Sequence, residues 1–268
     1  MATSHTIDNF ELGKPLGKGR FGQVWLAKDK RTDYIVAIKV LVKKQLETDK
    51  NIIKQLRREI EIQQTLKSEY ILRMYGYFHD NVNIYLILEY AGNGELFDKL
   101  KNEGRFTEGV AANYIYQIAK AIETMHDLDI IHRDIKPENI LIGCDGKLKL
   151  ADLGWAVCNI DKKRTTFCGT PEYLSPEFTE KIPHDKAVDA WCLGILAYEF
   201  LVGKTPFEHP SRSNAHCYKN ICKLEYSIPS FVSKEAESFI KRLLVKNAKE
   251  RATIKEALKH PWLIKNAL

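Results

Sequence analysis

The run His132-Arg133-Asp134-Ile135-Lys136-Pro137-Glu138-Asn139 packs a carboxylate, an ammonium and an amide into one short stretch. Asp152-Leu153-Gly154 begins thirteen residues after Asn139. These groups suit phosphoryl transfer, whose loose transition state needs positioning and charge neutralisation more than covalent help. Asp134 would accept or orient the proton of an attacking hydroxyl. Lys136 would neutralise the moving phosphoryl group. Asn139 and Asp152 are hard oxygen ligands of the kind Mg²⁺ takes. Taken singly, Asp134 is more often a loop residue that caps a helix. It is the ordered string that favours chemistry.

Such groups must be held by regular elements. Residues Phe10 to Leu41 read as three strands, the first two joined through Gly17-Lys18-Gly19-Arg20-Phe21-Gly22-Gln23-Val24. Glycines there let backbone amides approach phosphate oxygens closely. On its own the turn is equally a plain hairpin. A dinucleotide-binding fold would follow it with a helix, but Val24-Trp25-Leu26-Ala27 continues as strand. No G-x-x-x-x-G-K-[ST] occurs, which excludes a P-loop NTPase. In Val36-Ala37-Ile38-Lys39, alternation puts Ala37 and Lys39 on one face. A helix over about Lys50–Leu66 would carry Ile52, Leu56, Glu59, Ile60 and Gln63 along one side. Glu59 then sits at the edge of the core-facing stripe, where it could hold Lys39. Glu61 points about 200° away.

These strings together resemble the protein kinase family. The resemblance implies ATP and Mg²⁺ as cofactors and an α+β fold of two lobes. The small lobe would be an antiparallel sheet with one helix, the larger lobe mostly helical. Leu16, Gly17, Gly19, Gly22, Val24, Ala37, Lys39, Leu88, Glu89, Ala91, Glu138, Asn139, Leu141 and Asp152 would contact ATP, with backbone groups of Glu89 and Ala91 meeting adenine. Catalysis would fall to Asp134, Lys136, Asn139, Lys39 and Glu59, and Mg²⁺ to Asn139 and Asp152. A leader over 1–9 is expected to be disordered, with the kinase domain over 10–268: small lobe about 10–88, hinge about 89–94, large lobe about 95–268.

Composition is consistent with this. The chain has 268 residues, 44% hydrophobic and 28% charged, enough for one large domain or two packed lobes. The longest apolar stretch, near Trp191–Val202, contains Glu199 and is too short to span a bilayer, which needs about 20 residues. Six cysteines without a C-x-x-C pair argue for reduced thiols in the cytosol or nucleus. A formal charge of +6 is modest and is no nucleic-acid footprint.

From Phe106 the pattern turns helical, with one helix from about Thr107 to His126 and a strongly apolar one opening at Asp189. Asp189 needs hydrogen-bond partners there; the family implies the backbone at His132-Arg133. Glu177 would pair with Arg251. The finer resemblance is to the Aurora family of serine/threonine kinases. It is carried by Gln55-Leu56-Arg57-Arg58-Glu59-Ile60-Glu61-Ile62-Gln63, Tyr75-Gly76-Tyr77-Phe78-His79-Asp80, Leu86-Ile87-Leu88-Glu89-Tyr90-Ala91, Tyr198-Glu199-Phe200-Leu201-Val202-Gly203-Lys204, Trp155, and Arg164-Thr165-Thr166-Phe167-Cys168-Gly169-Thr170. Leu153 departs from the usual Phe after the aspartate. Pro171-Glu172 and Ser175 look more like other basophilic kinases.

The resemblance implies a regulatory phosphate on Thr166, with Thr165 as the alternative site, clamped by Arg133 and Arg58. Glu95, Glu138 and Glu199 resemble acids that read basic residues upstream of the target hydroxyl. Each alone is more often a solvated surface acid. An activator protein would dock on the small lobe, with Tyr75, Tyr77 and Phe78 as candidate contacts; core packing explains the three equally well. The implied setting is mitosis, in cytoplasm and nucleus, at chromosomes or spindle. A monomeric catalytic domain is expected, without nucleic-acid or membrane partners. The alternatives are another basophilic kinase, cyclic-nucleotide-dependent or polo-like, or a pseudokinase scaffold.

Overall fold

Alternating side chains in the first ninety residues build a sheet with two apolar faces. The computed structural model describes residues 5–19, 22–46, 50–158, 170–208 and 213–267. Strands β1 (Phe10–Gly19), β2 (Gly22–Asp29), β3 (Ile35–Val42), β4 (Met74–His79) and β5 (Asn83–Glu89) form one antiparallel sheet in the order β1-β2-β3-β5-β4. Helix α1 (Lys43–Leu46) leads to α2 (Lys50–Thr65), which covers one face. There Ala37 and Leu41 of β3 meet Leu56 and Ile60 of α2. The opposite parity of β3, Val36 and Ile38, packs with Phe10, Phe78, Tyr85 and Ile87. A Cβ on Gly22 would lie 1.7 Å from the Val40 carbonyl oxygen, so only glycine lets β2 run this close to β3.

The large lobe is helical: α3 (Leu96–Glu103), α4 (Glu108–Asp127), α5 (Pro176–Thr179), α6 (Ala187–Val202), α7 (Asn214–Lys223), α8 (Lys234–Leu243), α9 (Ile254–Ala257) and α10 (Pro261–Asn266). Helix α6 is apolar all round because it is buried all round; Trp191, Leu193, Ile195 and Phe200 have no more than 0% exposure. Short strands β6 (Ile130–Ile131), β7 (Ile140–Ile142), β8 (Leu148–Leu150) and β9 (Val157–Cys158) flank the polar run; β6 pairs with β9 and β7 with β8. Glu177 and Arg251 are buried together, with Nη2 to Oε1 at 2.8 Å. Arg251 also donates to the carbonyls of Ala187 and Val245. Among the described residues no helix is long and apolar enough to cross a membrane.

Of residues 1–9, the structure describes 5–9. Residues Ile7–Asn9 form a single turn capped by Thr6, Ile7 packs beside the Phe10 cluster, and His5 stacks on Phe10. Apolar Ile7 thereby covers part of that sheet face.

Candidate active site

Cross-strand register aligns the first half of the site. Val24 sits opposite Lys39, and Ala37 opposite Leu88. Val24, Ala37, Leu88, Ala91, Leu141 and Ala151 belong to one apolar cluster, so strands β2, β3, β5 and β7 line a common slot. Lys39 Nζ lies 3.3 Å from Glu59 Oε1, the side chains 28% and 12% exposed. The pair is only partly screened, and it links the slot to α2. Exposed Glu61 lies off this contact. Leu16 is exposed on β1, and a Cβ on Gly17 would meet nothing within 4 Å. Gly19 ends β1.

The second half is organised by hydrogen bonds. Asn139 Nδ2 donates to the Asp134 backbone oxygen and to Asp134 Oδ2, both at 2.8 Å. Its amide nitrogen is thereby spent, leaving the oxygen for a cation. Lys136 Nζ is 3.3 Å from Asp134 Oδ2 and donates to Thr170 Oγ1 at 2.7 Å. Asp134 and Asn139 are buried, while Asp152 is exposed. Asp152 adopts φ 57°, ψ 77°, and its Oδ1 accepts from the Gly154 amide at 3.2 Å. This left-handed turn tips the carboxylate out of the strand line. Leu153 is 1% exposed within the large-lobe core, so the position is filled by an apolar side chain as Phe would fill it. Gln55 of α2 donates to the Gly154 carbonyl, so the helix that carries Glu59 also grips this turn. Buried Gln63 donates to the Leu72 carbonyl at 3.1 Å.

Asp189, fully buried, holds the polar run in shape. Its Oδ2 accepts from the His132 amide at 3.0 Å, and its Oδ1 from the Arg133 amide at 2.9 Å. His126 Nε2 lies 2.8 Å from Oδ2. Burial alone would push this carboxyl up, yet His126 and the Arg133 amide hold it below the usual carboxylate range. The family resemblance implied the two backbone bonds; His126 had no signal beyond its place at a helix end. Arg133 has φ 72°, a strained geometry that Asp189 helps impose. Its Nε donates to the Trp155 carbonyl at 2.8 Å. Arg58 is exposed on α2. Thr165, Thr166 and Cys168 lie outside the described residues.

Glu138 and Glu199 line one cleft of about 240 Å³ beside Thr170, with Glu172 and Glu208. Burial pushes the Glu199 carboxyl up to about 7; Tyr173, whose hydroxyl donates to it, opposes the shift, and Glu138, Glu172 and Glu208 add to it. Glu95 stands apart at the N-terminus of α3; partial burial, then Asp98 and Glu138, raise its carboxyl. Glu172, Tyr173, Glu208 and Thr170 escaped the sequence reading, because only the fold brings their segments beside Glu199.

The three aromatic candidates of β4 separate. Tyr77 is 49% exposed and lines a small-lobe groove of about 580 Å³ with Lys43, Leu56, Arg57, Ile60 and His79. Tyr75 is exposed on the sheet edge, in hydrogen-bond contact with Tyr34. Phe78 is corrected to a core residue: it is 9% exposed and stacked between Phe10 and Tyr85.

This fold and site define a protein kinase, and the comparisons agree. The family described as protein kinase domain matches residues 10–263. An Aurora kinase of Encephalitozoon cuniculi is 52% identical over 97% of this chain and 96% of its own length. One from Schizosaccharomyces pombe is 53% identical over 97% of this chain and 72% of its own. Aurora kinase A-A of Xenopus laevis is 49% identical, with 63% of its length covered. The chain belongs to the Aurora family of serine/threonine protein kinases. ATP and Mg²⁺ are the cofactors of that family in general.

Proposed function

We propose that this kinase phosphorylates serine or threonine preceded by arginine or lysine, and that phosphate on Thr166 switches it on. Two sets of contacts support the catalytic assignment: Asp134 with Lys136 and Asn139, and Lys39 with Glu59. Asp134 takes the proton of the substrate hydroxyl as its oxygen bonds to the transferred phosphorus and the bond to the departing diphosphate breaks. Lys136 neutralises charge on the moving group. Bound Mg²⁺, held by Asn139 and Asp152, would supply charge neutralisation at the phosphates. Adenine lies in the slot of Val24, Ala37, Leu88 and Leu141, against backbone groups of Glu89 and Ala91. Leu16, Gly17, Gly19 and Gly22 cover the nucleotide, and Lys39 holds its phosphates. Glu138 borders both the nucleotide and the substrate.

Glu138 and Glu199 in one acidic cleft beside Thr170 support the basic-substrate reading, with Glu95 at a second position. Thr170 bonds Lys136, so that cleft opens next to the reacting groups. Arg133, with Arg58, is the proposed clamp for the Thr166 phosphate. The groove lined by Tyr77 and Leu56 is where an activator protein docks. Such an enzyme acts in mitosis, in cytoplasm and nucleus, at chromosomes or spindle, with a monomeric catalytic domain spanning 10–268. The test is transfer from labelled ATP with Mg²⁺ to a peptide bearing Arg-Arg-x-Ser. The parent transfers phosphate and Asp134→Asn does not. Equal labelling by both, or preference for acidic or proline-directed peptides in an array, refutes the reading.

A further inference from the structure

One ion pair ties the hinge to the large lobe, and none of the roles above uses it. Glu89 is the last residue of β5, and its Oε1 lies 2.7 Å from Lys149 Nζ in the middle of β8. The Lys149 side chain is 9% exposed and that of Glu89 21%. A solvated Lys–Glu pair contributes little, but a largely dehydrated one is screened far less. The other carboxylate oxygen accepts from the Arg73 amide at 3.1 Å, while the Glu89 amide donates to the Arg73 carbonyl at 2.8 Å. Glu89 is therefore held through both backbone and side chain.

The far end of the contact is equally anchored. The Leu150 amide donates to the Tyr70 carbonyl at 2.8 Å, and the Leu72 amide to the Leu150 carbonyl at 2.9 Å. In the β7–β8 register, Lys149 stands opposite Leu141. One lysine thus connects the strand paired with that of Leu141 to the residue that begins the hinge. Asp152 follows three residues later on the same chain segment.

We propose that Lys149 is a positioning residue for the nucleotide. Through Glu89 it fixes the first hinge peptide relative to Leu141, so the adenine-facing backbone is set before ATP arrives. This rests on the nucleotide assignment above. Removing Glu89 would leave a buried ammonium uncompensated, so Lys149→Met is the gentler probe. The expected result is an ATP KM raised about three- to tenfold, with the loss falling on KM rather than kcat, and no change in peptide KM. Lys149→Arg, which keeps the charge, should bring ATP KM back to within about twofold of the parent. Lys149→Met combined with Glu89→Gln should cost no more than the worse single change, because both break one contact.

ADP binding by calorimetry, which needs no phosphoryl transfer, is measured on the same proteins. A parent that binds no ADP fails the nucleotide assignment itself. A parent that binds ADP while folded Lys149→Met binds it equally well overturns the positioning role. So does a parallel rise in ATP and peptide KM, or a Lys149→Arg protein as impaired as Lys149→Met. If Lys149→Met does not fold, the double variant Lys149→Met/Glu89→Gln, which strands neither charge, carries the same comparison: weakened ADP binding supports the proposal and unchanged binding overturns it.

Discussion

If the acidic cleft binds substrate arginine as proposed, recognition should be sensitive to pH near neutrality. Burial raises the Glu199 carboxyl to about 7, so around neutral pH it is only partly ionised. A substrate arginine is attracted by the carboxylate and not by the acid. If only the ionised form binds, the ionised fraction falls from about nine-tenths at about pH 8 to about one-tenth at about pH 6, which raises peptide KM roughly tenfold. Bound arginine offers Glu199 a counter-charge and draws its proton off, so kcat carries less of the slope than KM. The assay is initial rates at saturating ATP, with peptide varied at several pH values. Glu199→Gln should raise KM at high pH and flatten the profile. A peptide with the upstream arginine replaced by alanine should flatten it in the parent. A parent profile that is flat, or one that keeps its slope in Glu199→Gln, refutes the reasoning. Stability follows the linked sign. The folded protein holds this proton more tightly than the unfolded chain, so the contribution is full below the ordinary value of 4.5 and lost as pH rises through about 7.

Other expectations follow from particular contacts. Asp189→Asn replaces a buried acceptor of three hydrogen bonds with a group that must point a donor at one of them. It should cost about 3–5 kcal/mol and lower Tm by roughly 5–10 °C; calorimetry showing Tm unchanged would contradict the role given to Asp189. Thr166→Val should cut turnover roughly tenfold or more while leaving ATP binding intact, and equal turnover with phosphate verified on the parent by mass spectrometry would sink the switch. Tyr77→Ala should weaken docking of an activator protein on the small lobe without unfolding the lobe, whereas Phe78→Ala should destabilise the fold by about 3–5 kcal/mol. Titration and thermal melts of the two variants check this, and a swapped pattern would reverse the assignment of the two faces of β4.

Local repeats explain how much could be read from the chain. Strand alternation alone put Ala37 and Lys39 on one face, and helical spacing alone aimed Glu59 at that face. The ion pair of Lys39 and Glu59 therefore followed from two short periodicities. For Asp189 the need was legible, since a carboxylate in an apolar helix has to be satisfied, while its backbone partners came from the family resemblance. Phe78 was not legible. The register shifts between Met74 and Gly76, and the strand then sends Tyr77 outward and Phe78 into the core, a parity that aromatic content does not announce.

What the sequence determined by itself is the chemistry: Asp134, Lys136, Asn139 and Asp152 come in one order because short backbone segments hold them at fixed separations. What the tertiary structure decided is which distant groups share a space. Glu199 meets Tyr173 and Glu138, His126 joins Asp189, and Lys149 reaches Glu89 only after helices and strands have packed. Burial set those pairings and with them the raised carboxyl of Glu199, and burial depends on every segment that covers a group, so it cannot be assigned from the residue and its neighbours along the chain.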